Sequence, residues 1–456
     1  MTKSKPAILG GDPIRSIPFP KRVTMGAAEK QAVMEVMDSD VLSAFLGAAG
    51  PHFLGGEKVR ALEAEWSRLC GGSYAISVNS WTSGLVAAVG ALGLGPGDEM
   101  IVPPYTMSAS ATCGLFYGVV PVFADIDPIN FCIDPDSIRQ RISPRTRAIM
   151  VVHLFGHPAP MDAILEIAAE HGLKVIEDAA QAPGVLWKDR PVGTWGDIGG
   201  FSFNFHKHIH TGEGGMLITN CEDLARRCQW IRNHGENAVD HEEVENLVNV
   251  IGGNYRLTEL QAAIGIAQLA KLPNILTTRQ RLASHLRSKL HGLPGLLPQP
   301  QVEQGTHAYY VFPMRFDAAE AGISRANFVK AVKAELPTPS GYETTPLTEG
   351  YVRPLYLSKI YQQRIAIGRD GFPFNTVPPD SIDYSRGLCP VTEALYEREL
   401  VLTPLVREPL AERDLDDLAN AITKVLENAA DIQSTLGESQ EGIQTPVSVL
   451  NKSRLP

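Results

Sequence analysis

A chain of 456 residues has room for two or three ordinary domains, or for one large α/β domain with a smaller partner. With 44% hydrophobic and 20% charged residues it can bury a large core, and a formal net charge of −10 excludes a general nucleic-acid binder, which needs a basic face. Six scattered cysteines without a CxxC pair, no apolar run long enough for a bilayer and no secretory h-region lead us to expect a soluble cytoplasmic protein with reduced thiols and no membrane partner.

From about Ser73 to Asn220, short apolar runs alternate with helical periodicity. The spacing predicts strands at Tyr74–Val78, Met100–Pro103, Val120–Asp125, Ala148–Leu154, Lys174–Glu177, Gly199–Phe203 and Gly215–Thr219. Amphipathic stretches such as Met161–Glu170 lie between them. This alternation is the pattern of a mostly parallel sheet between layers of helix, in which ligands bind beyond the carboxyl ends of the strands. Thr258 is a good N-cap for a helix running to Leu272, and a second helix follows Pro273 to about Leu290. Further on, a strand is predicted at Tyr309–Phe316 and a last helix from about Glu412 to Glu427. Residues 340–388, rich in Pro, Gly, Tyr and Arg without periodicity, read as a long functional loop. The expected organisation is an N-terminal arm (1–50), a large cofactor-binding domain (51–272), a smaller C-terminal α/β domain (273–430) and a disordered tail (431–456).

The stretch Phe201-Ser-Phe-Asn-Phe-His-Lys207-His-Ile-His-Thr-Gly-Glu-Gly-Gly215 sets one lysine between an aromatic strand and a glycine-rich turn. A lysine held partly out of water has a lowered pKa and becomes a nucleophile toward aldehydes. Upstream, Glu177-Asp178-Ala-Ala-Gln181 supplies a carboxylate at the end of another strand. Together they point to pyridoxal 5′-phosphate (PLP), which needs a lysine for its aldehyde, a carboxylate for its ring nitrogen and donors for its phosphate. Gln181 is placed to meet the ring hydroxyl, and Ser202 points away from its flanking phenylalanines toward a phosphate. Ser77-Val-Asn-Ser-Trp81-Thr82 leads from a strand into a helix, where Thr82 and nearby amides can either bind phosphate or simply cap.

The chain resembles the DegT/StrS family of sugar aminotransferases over nearly its whole length. Its phrases include Gly95-Pro-Gly-Asp-Glu99, Pro104-Tyr-Thr106, Asp125-Ile-Asp127, Val152-His-Leu-Phe-Gly156, Glu177-Asp-Ala-Ala-Gln-Ala182, Asn233-His-Gly235, Asn254-Tyr-Arg256 and Cys389-Pro390. The resemblance implies the fold-type I PLP architecture and a homodimer with a shared active site. It implies Lys207 as the Schiff-base lysine, Asp178 on the pyridine nitrogen, Gln181 on the ring hydroxyl, and Ser202 and Thr82 on the phosphate. Asn254 matches an asparagine that reaches the phosphate from the other subunit. The implied reaction moves an amino group from glutamate or glutamine to a ketosugar, often nucleotide-linked, or to a keto-cyclitol.

Three positions depart from the family pattern. Trp81 stands where a small residue is common, so phosphate binding there rests on backbone. Met107 stands where relatives often stack an aromatic ring on the cofactor. Pro354-Leu355-Tyr356 replaces a Pro-Leu-His phrase. His206, His208 and His210 alternate as metal ligands on a strand would, but they lack a cysteine or carboxylate partner, and no metal is expected. Some relatives carry histidine in place of the lysine and act as sugar dehydratases. The register of Lys207 to Gly212-Glu-Gly-Gly215 favours transfer over dehydration, or over a non-catalytic regulatory role.

Overall fold

The structure, a computed structural model, describes residues 4–241, 244–338 and 345–437. Its largest element is a seven-stranded sheet built from β1 (Tyr74–Val78), β2 (Glu99–Val102), β3 (Val120–Phe123), β4 (Thr146–Val152), β5 (Lys174–Asp178), β6 (Ile198–Ser202) and β7 (Gly215–Thr219). The strand order is β1-β7-β6-β5-β4-β2-β3. The strands from β3 to β6 are parallel, and β7 runs antiparallel to both β6 and β1. Parallel strands covered on both faces must be apolar throughout. In β4, Ala148, Ile149, Met150 and Val151 are all fully buried.

Helices α1 (Trp81–Ala91), α2 (Ala109–Leu115) and α3 (Met161–His171) follow strands of this sheet and return the chain to its amino edge. Helix α4 (Glu259–Leu269) starts at Thr258, which forms a capping box with Gln261. Helix α5 (Leu272–Leu290) starts anew with Pro273 in its first turn. Leu272 and Ile275 of α5 join the core beneath the large sheet. Its later residues Leu282, Leu286 and Leu290 enter a second core.

That second core surrounds a four-stranded sheet of β8 (Leu296–Pro298), β9 (Phe312–Phe316), β10 (Thr348–Glu349) and β11 (Leu400–Thr403), in the order β8-β9-β11-β10. Helices α6 (Arg325–Glu335) and α7 (Glu412–Glu427) pack on it. Phe19, from the N-terminal arm, is also buried there.

Three expectations need correction. The strand foreseen at Tyr309–Phe316 begins only at Phe312, because Tyr309 takes a left-handed φ of 47° and the backbone turns. The tail expected from residue 431 begins later, since Ala429–Leu436 is helical and Ile432 is buried in the second core. Residues 438–456 lie outside the described residues.

The stretch foreseen as a long loop is packed where it is described. Thr348–Glu349 pairs with β11, and Tyr356, Tyr361 and Tyr384 gather around Phe123 of edge strand β3. The Tyr384 hydroxyl donates to the Pro121 carbonyl at 2.7 Å. An uncovered edge strand invites pairing with other chains, and here the aromatic cap protects it. Residues 340–344 fall outside the described residues. No helix among the described residues is long and apolar enough to cross a membrane.

Candidate active site

Parallel strands β5 and β6 are neighbours, with Asp178 opposite Gly200. Asp178 ends β5, Ser202 ends β6, and Lys207 sits in the turn that follows. Sheet geometry thus brings residues 29 apart in sequence to the same carboxyl edge.

Lys207 is 8% exposed, and its Nζ lies 4.6 Å from the centroid of the Tyr310 ring. Burial disfavours the ammonium form and pushes the side chain down to about 8, against the opposing pull of the Asp178 charge. An appreciable minority of this amine is therefore neutral near physiological pH, far more than for a solvated lysine. The Lys207 and His208 carbonyls both accept from Nη2 of Arg22, at 2.8 and 2.7 Å. Nε of Arg22 in turn donates to Oε1 of Glu408 at 2.9 Å. One residue of the N-terminal arm therefore pins the lysine turn to the second core.

Adjacent acids on β5 face opposite ways, as alternation requires. Glu177 is fully buried and accepts from the Gly193 and Gly196 amides at 2.7 and 2.6 Å. Nε2 of His153 lies 2.9 Å from it. Nδ1 of His153 accepts from the Ala159 amide, which puts the proton on Nε2, facing Glu177. Glu177 is thus absorbed by the local structure. Asp178 faces the site and is 5% exposed. Its Oδ1 accepts from Nε1 of Trp81 at 2.8 Å and from the Ala180 amide at 3.1 Å. Its Oδ2 accepts from the Ser110 hydroxyl at 2.7 Å.

Gln181 follows on the same turn. Its Oε1 accepts from the Phe155 amide at 2.6 Å, which fixes the orientation of the side-chain amide, and Nε2 donates to the Tyr351 hydroxyl at 3.1 Å. Burial pushes the Tyr351 phenol up to about 12, so it stays neutral at physiological pH.

The remaining foreseen residues are spread more widely. Trp81 and Thr82 open helix α1, whose cap is Ser80; Trp81 is buried and Thr82 is exposed. A Cβ on Gly215 would stand 2.8 Å from the Trp81 backbone nitrogen, so β7 approaches the helix start as only glycine permits. Ser202 is half-buried, facing away from Phe201 and Phe203, whose rings lie 4.6 and 5.4 Å from Trp66. Met107 is 61% exposed ahead of α2. Asn254 is exposed, its side-chain oxygen held by Nε of Arg256 and its carbonyl by Nδ2 of Asn79. Among the described contacts none joins Met107 or Asn254 to Lys207 or Asp178.

The three histidines do not share a strand face, because the chain turns through residues 205–209. His206 is exposed, while His208 is buried with Nε2 donating to the Ala308 carbonyl at 2.9 Å. His210 meets the Thr24 hydroxyl at 2.8 Å.

The sequence reading missed Ser110 and Arg22, placed Tyr310 only in a strand and Tyr351 only in a long functional loop, and gave Trp81 only a backbone role. One signal was in reach for Ser110: it lies four residues past Thr106 of a quoted phrase, and the two hydroxyls are 3.2 Å apart.

The donor set suits PLP. It offers a desolvated lysine for the aldehyde, a buried carboxylate for a protonated ring nitrogen, and the amide-bearing start of α1 with Ser202 for the phosphate.

The model of the DegT/DnrJ/EryC1/StrS aminotransferase family matches residues 25–423. Among individual proteins, the chain is 38% identical to a GDP-perosamine synthase of Caulobacter vibrioides, over 63% of this chain and 74% of that protein. It is 32% identical to an L-glutamine:2-deoxy-scyllo-inosose aminotransferase of Streptomyces fradiae, over 93% of this chain and 98% of that one. The X-ray structure of an aminotransferase from Psychrobacter cryohalolentis superposes with a TM-score of 0.76 at 30% identity, over 90% of this chain and all of that one. With the match spanning both sheets and the lysine turn, the chain belongs to the DegT/DnrJ/EryC1/StrS aminotransferase family.

Proposed function

We propose that this chain is a PLP-dependent aminotransferase that moves an amino group from glutamate or glutamine to a ketosugar, often nucleotide-linked, or to a keto-cyclitol. The observation that carries the reading is a buried lysine, lowered to about 8, close enough to a buried carboxylate to feel its charge. Relatives named for GDP-perosamine synthesis and for amination of 2-deoxy-scyllo-inosose support the acceptor class.

When bound, the cofactor supplies an electron sink that weakens a C–H bond beside nitrogen. Lys207 serves first as the amine that anchors it, and then as the base and acid that moves a proton across one face. A lysine near 8 suits both tasks, since each protonation state is populated near neutrality. Asp178 balances positive charge on the ring nitrogen. Gln181 offers its remaining amide hydrogen to the ring hydroxyl, while the amides of Trp81 and Thr82 and the hydroxyls of Thr82 and Ser202 hold the phosphate. Tyr310 shields Lys207 from water.

The same reading assigns residues 1–50 as an arm, 51–272 as the cofactor domain and 273–430 as the smaller domain. It makes the working unit a cytoplasmic homodimer in which exposed Asn254 serves the neighbouring site. The test is a screen of ketosugars and keto-cyclitols against the protein loaded with pyridoxamine phosphate. Return of the cofactor to its aldehyde form on such acceptors is expected. Conversion of a sugar without nitrogen transfer would sink the reading.

A further inference from the structure

Trp81 does more than begin a helix. Its indole fills a cradle made by two glycines: a Cβ on Gly200 of strand β6 would stand 2.3 Å from Cζ3 of the ring, and one on Gly84 of α1 itself 2.6 Å from Cε3. Glycine in the interior of a central strand weakens it, and frequently marks the close approach of another group. Here that group is the indole. From this cradle Nε1 reaches Oδ1 of Asp178 at 2.8 Å, while Ser110, backed by Thr106, holds Oδ2 at 2.7 Å. The third donor is the Ala180 amide, two residues along the chain. Among the described residues every direct donor to this carboxylate is therefore neutral, and two of the three come from other elements.

Hydrogen bonds to a carboxylate favour its charged form and lower its affinity for a proton. We infer that Trp81 is a positioning residue acting through Asp178: together with Ser110 it occupies the carboxylate's lone pairs, and so limits how tightly Asp178 holds the proton of the cofactor's ring nitrogen. The inference rests on the proposed role of Asp178 as partner of that nitrogen. It also gives Trp81 two ends of one ligand, with the backbone amide at the phosphate and the indole at the ring's far side. The titratable groups that feel the Asp178 charge are Lys207, Cys113 and Tyr351. None of them is altered by the variants below, and all measurements are made at one pH.

The experiment compares dissociation constants of the cofactor-free protein for PLP and for its 1-deaza analogue, which carries C–H where PLP has the ring nitrogen. Both share the aldehyde and the phosphate, so the ratio of the two constants reads the nitrogen contact alone. Trp81→Phe keeps a ring in the cradle and removes the donor. It is expected to raise the preference for PLP about fivefold, the worth of one hydrogen bond to a charged group after partial compensation. Ser110→Ala acts on the other oxygen with the indole intact, is expected to move the preference the same way, and stands in if Trp81→Phe does not fold. A preference unchanged or lowered in the folded variants, or both ligands weakened equally, overturns the inference. Asp178→Asn separates the two levels. Loss of the preference in that variant upholds the role of Asp178 whatever Trp81→Phe does, and its retention removes that role and the inference together.

Discussion

The crevice at the carboxyl ends of β5 and β6 and the aromatic cap over β3 are both buried, but they manage burial in opposite ways. In the crevice the carboxylate and the amide have directional partners: among the described residues Asp178 has three donors, and both ends of the Gln181 amide are engaged. In the cap, Tyr361 packs edge-on against Phe123 at 5.3 Å and against Tyr384 at 5.5 Å. Its buried hydroxyl has no hydrogen-bond partner among the described residues. Directional contacts tune a charge, whereas ring packing removes area from water and tolerates a loose polar end. Substitutions in the crevice should therefore change chemistry, and those in the cap should change stability.

The largest expected effect is on Lys207. Lys207→Ala should abolish the borohydride-reducible adduct with PLP, as read by mass spectrometry of the reduced protein. An adduct of wild-type yield on another lysine would remove Lys207 from its role. The converse belongs to the cap. Tyr361→Ala should lower unfolding free energy by about 3–5 kcal/mol, the range for deleting a large buried aromatic, while the adduct still forms in the folded fraction. If stability held and adduct formation failed, the cap would be part of the site.

A smaller and graded effect concerns pH. The neutral amine is the nucleophile, and a folded pKa of about 8 means that its fraction falls about tenfold for each pH unit below that value. Above it the fraction is level. The rate of adduct formation should follow this curve, and a bend near the ordinary lysine value of 10.5 would show that burial does not tune Lys207. The smallest effect is Tyr361→Phe. Removing a buried hydroxyl that lacks a partner should leave stability equal or raise it by about 1 kcal/mol, measured by denaturant unfolding. A loss of that size would mean that the hydroxyl has a partner after all.

The crevice was more legible in sequence than the cap, for physical reasons. Strands such as β2 and β4 are buried on both faces, so their apolar runs stand out. Lys207 was marked by local signals: the alternation of Phe201, Ser202 and Phe203 on one side and glycines on the other. Ser110 carried only its spacing from Thr106, because its meaning lies in a carboxylate 68 residues away. Trp81 was given only a backbone role because the cradle of its indole, Gly200, belongs to a different element. The residues 345–388 have no periodicity, since their rings converge from turns and short helices rather than from one face. Tyr309 and Tyr310 looked like strand because they are aromatic, yet the Ala308 and Tyr310 amides bond to Gly156 and Phe155 beside the large sheet. The helix Ala429–Leu436 was hidden by a polar composition that gives little hint of the contact made by Ile432.

The bridge made by Arg22 has a consequence for timing. Its partners are the Lys207 and His208 carbonyls and Glu408, which lies 386 residues further along the chain. Tyr310, which covers the lysine, also comes late. A ribosome delivers Arg22 and Lys207 long before either Tyr310 or Glu408 has left the exit tunnel. Until then Lys207 is an ordinary hydrated amine, protonated in the cytosol and slow toward aldehydes. The burial that lowers Lys207 belongs to the finished chain, because the ring that covers it and the carboxylate that anchors Arg22 are both late in sequence.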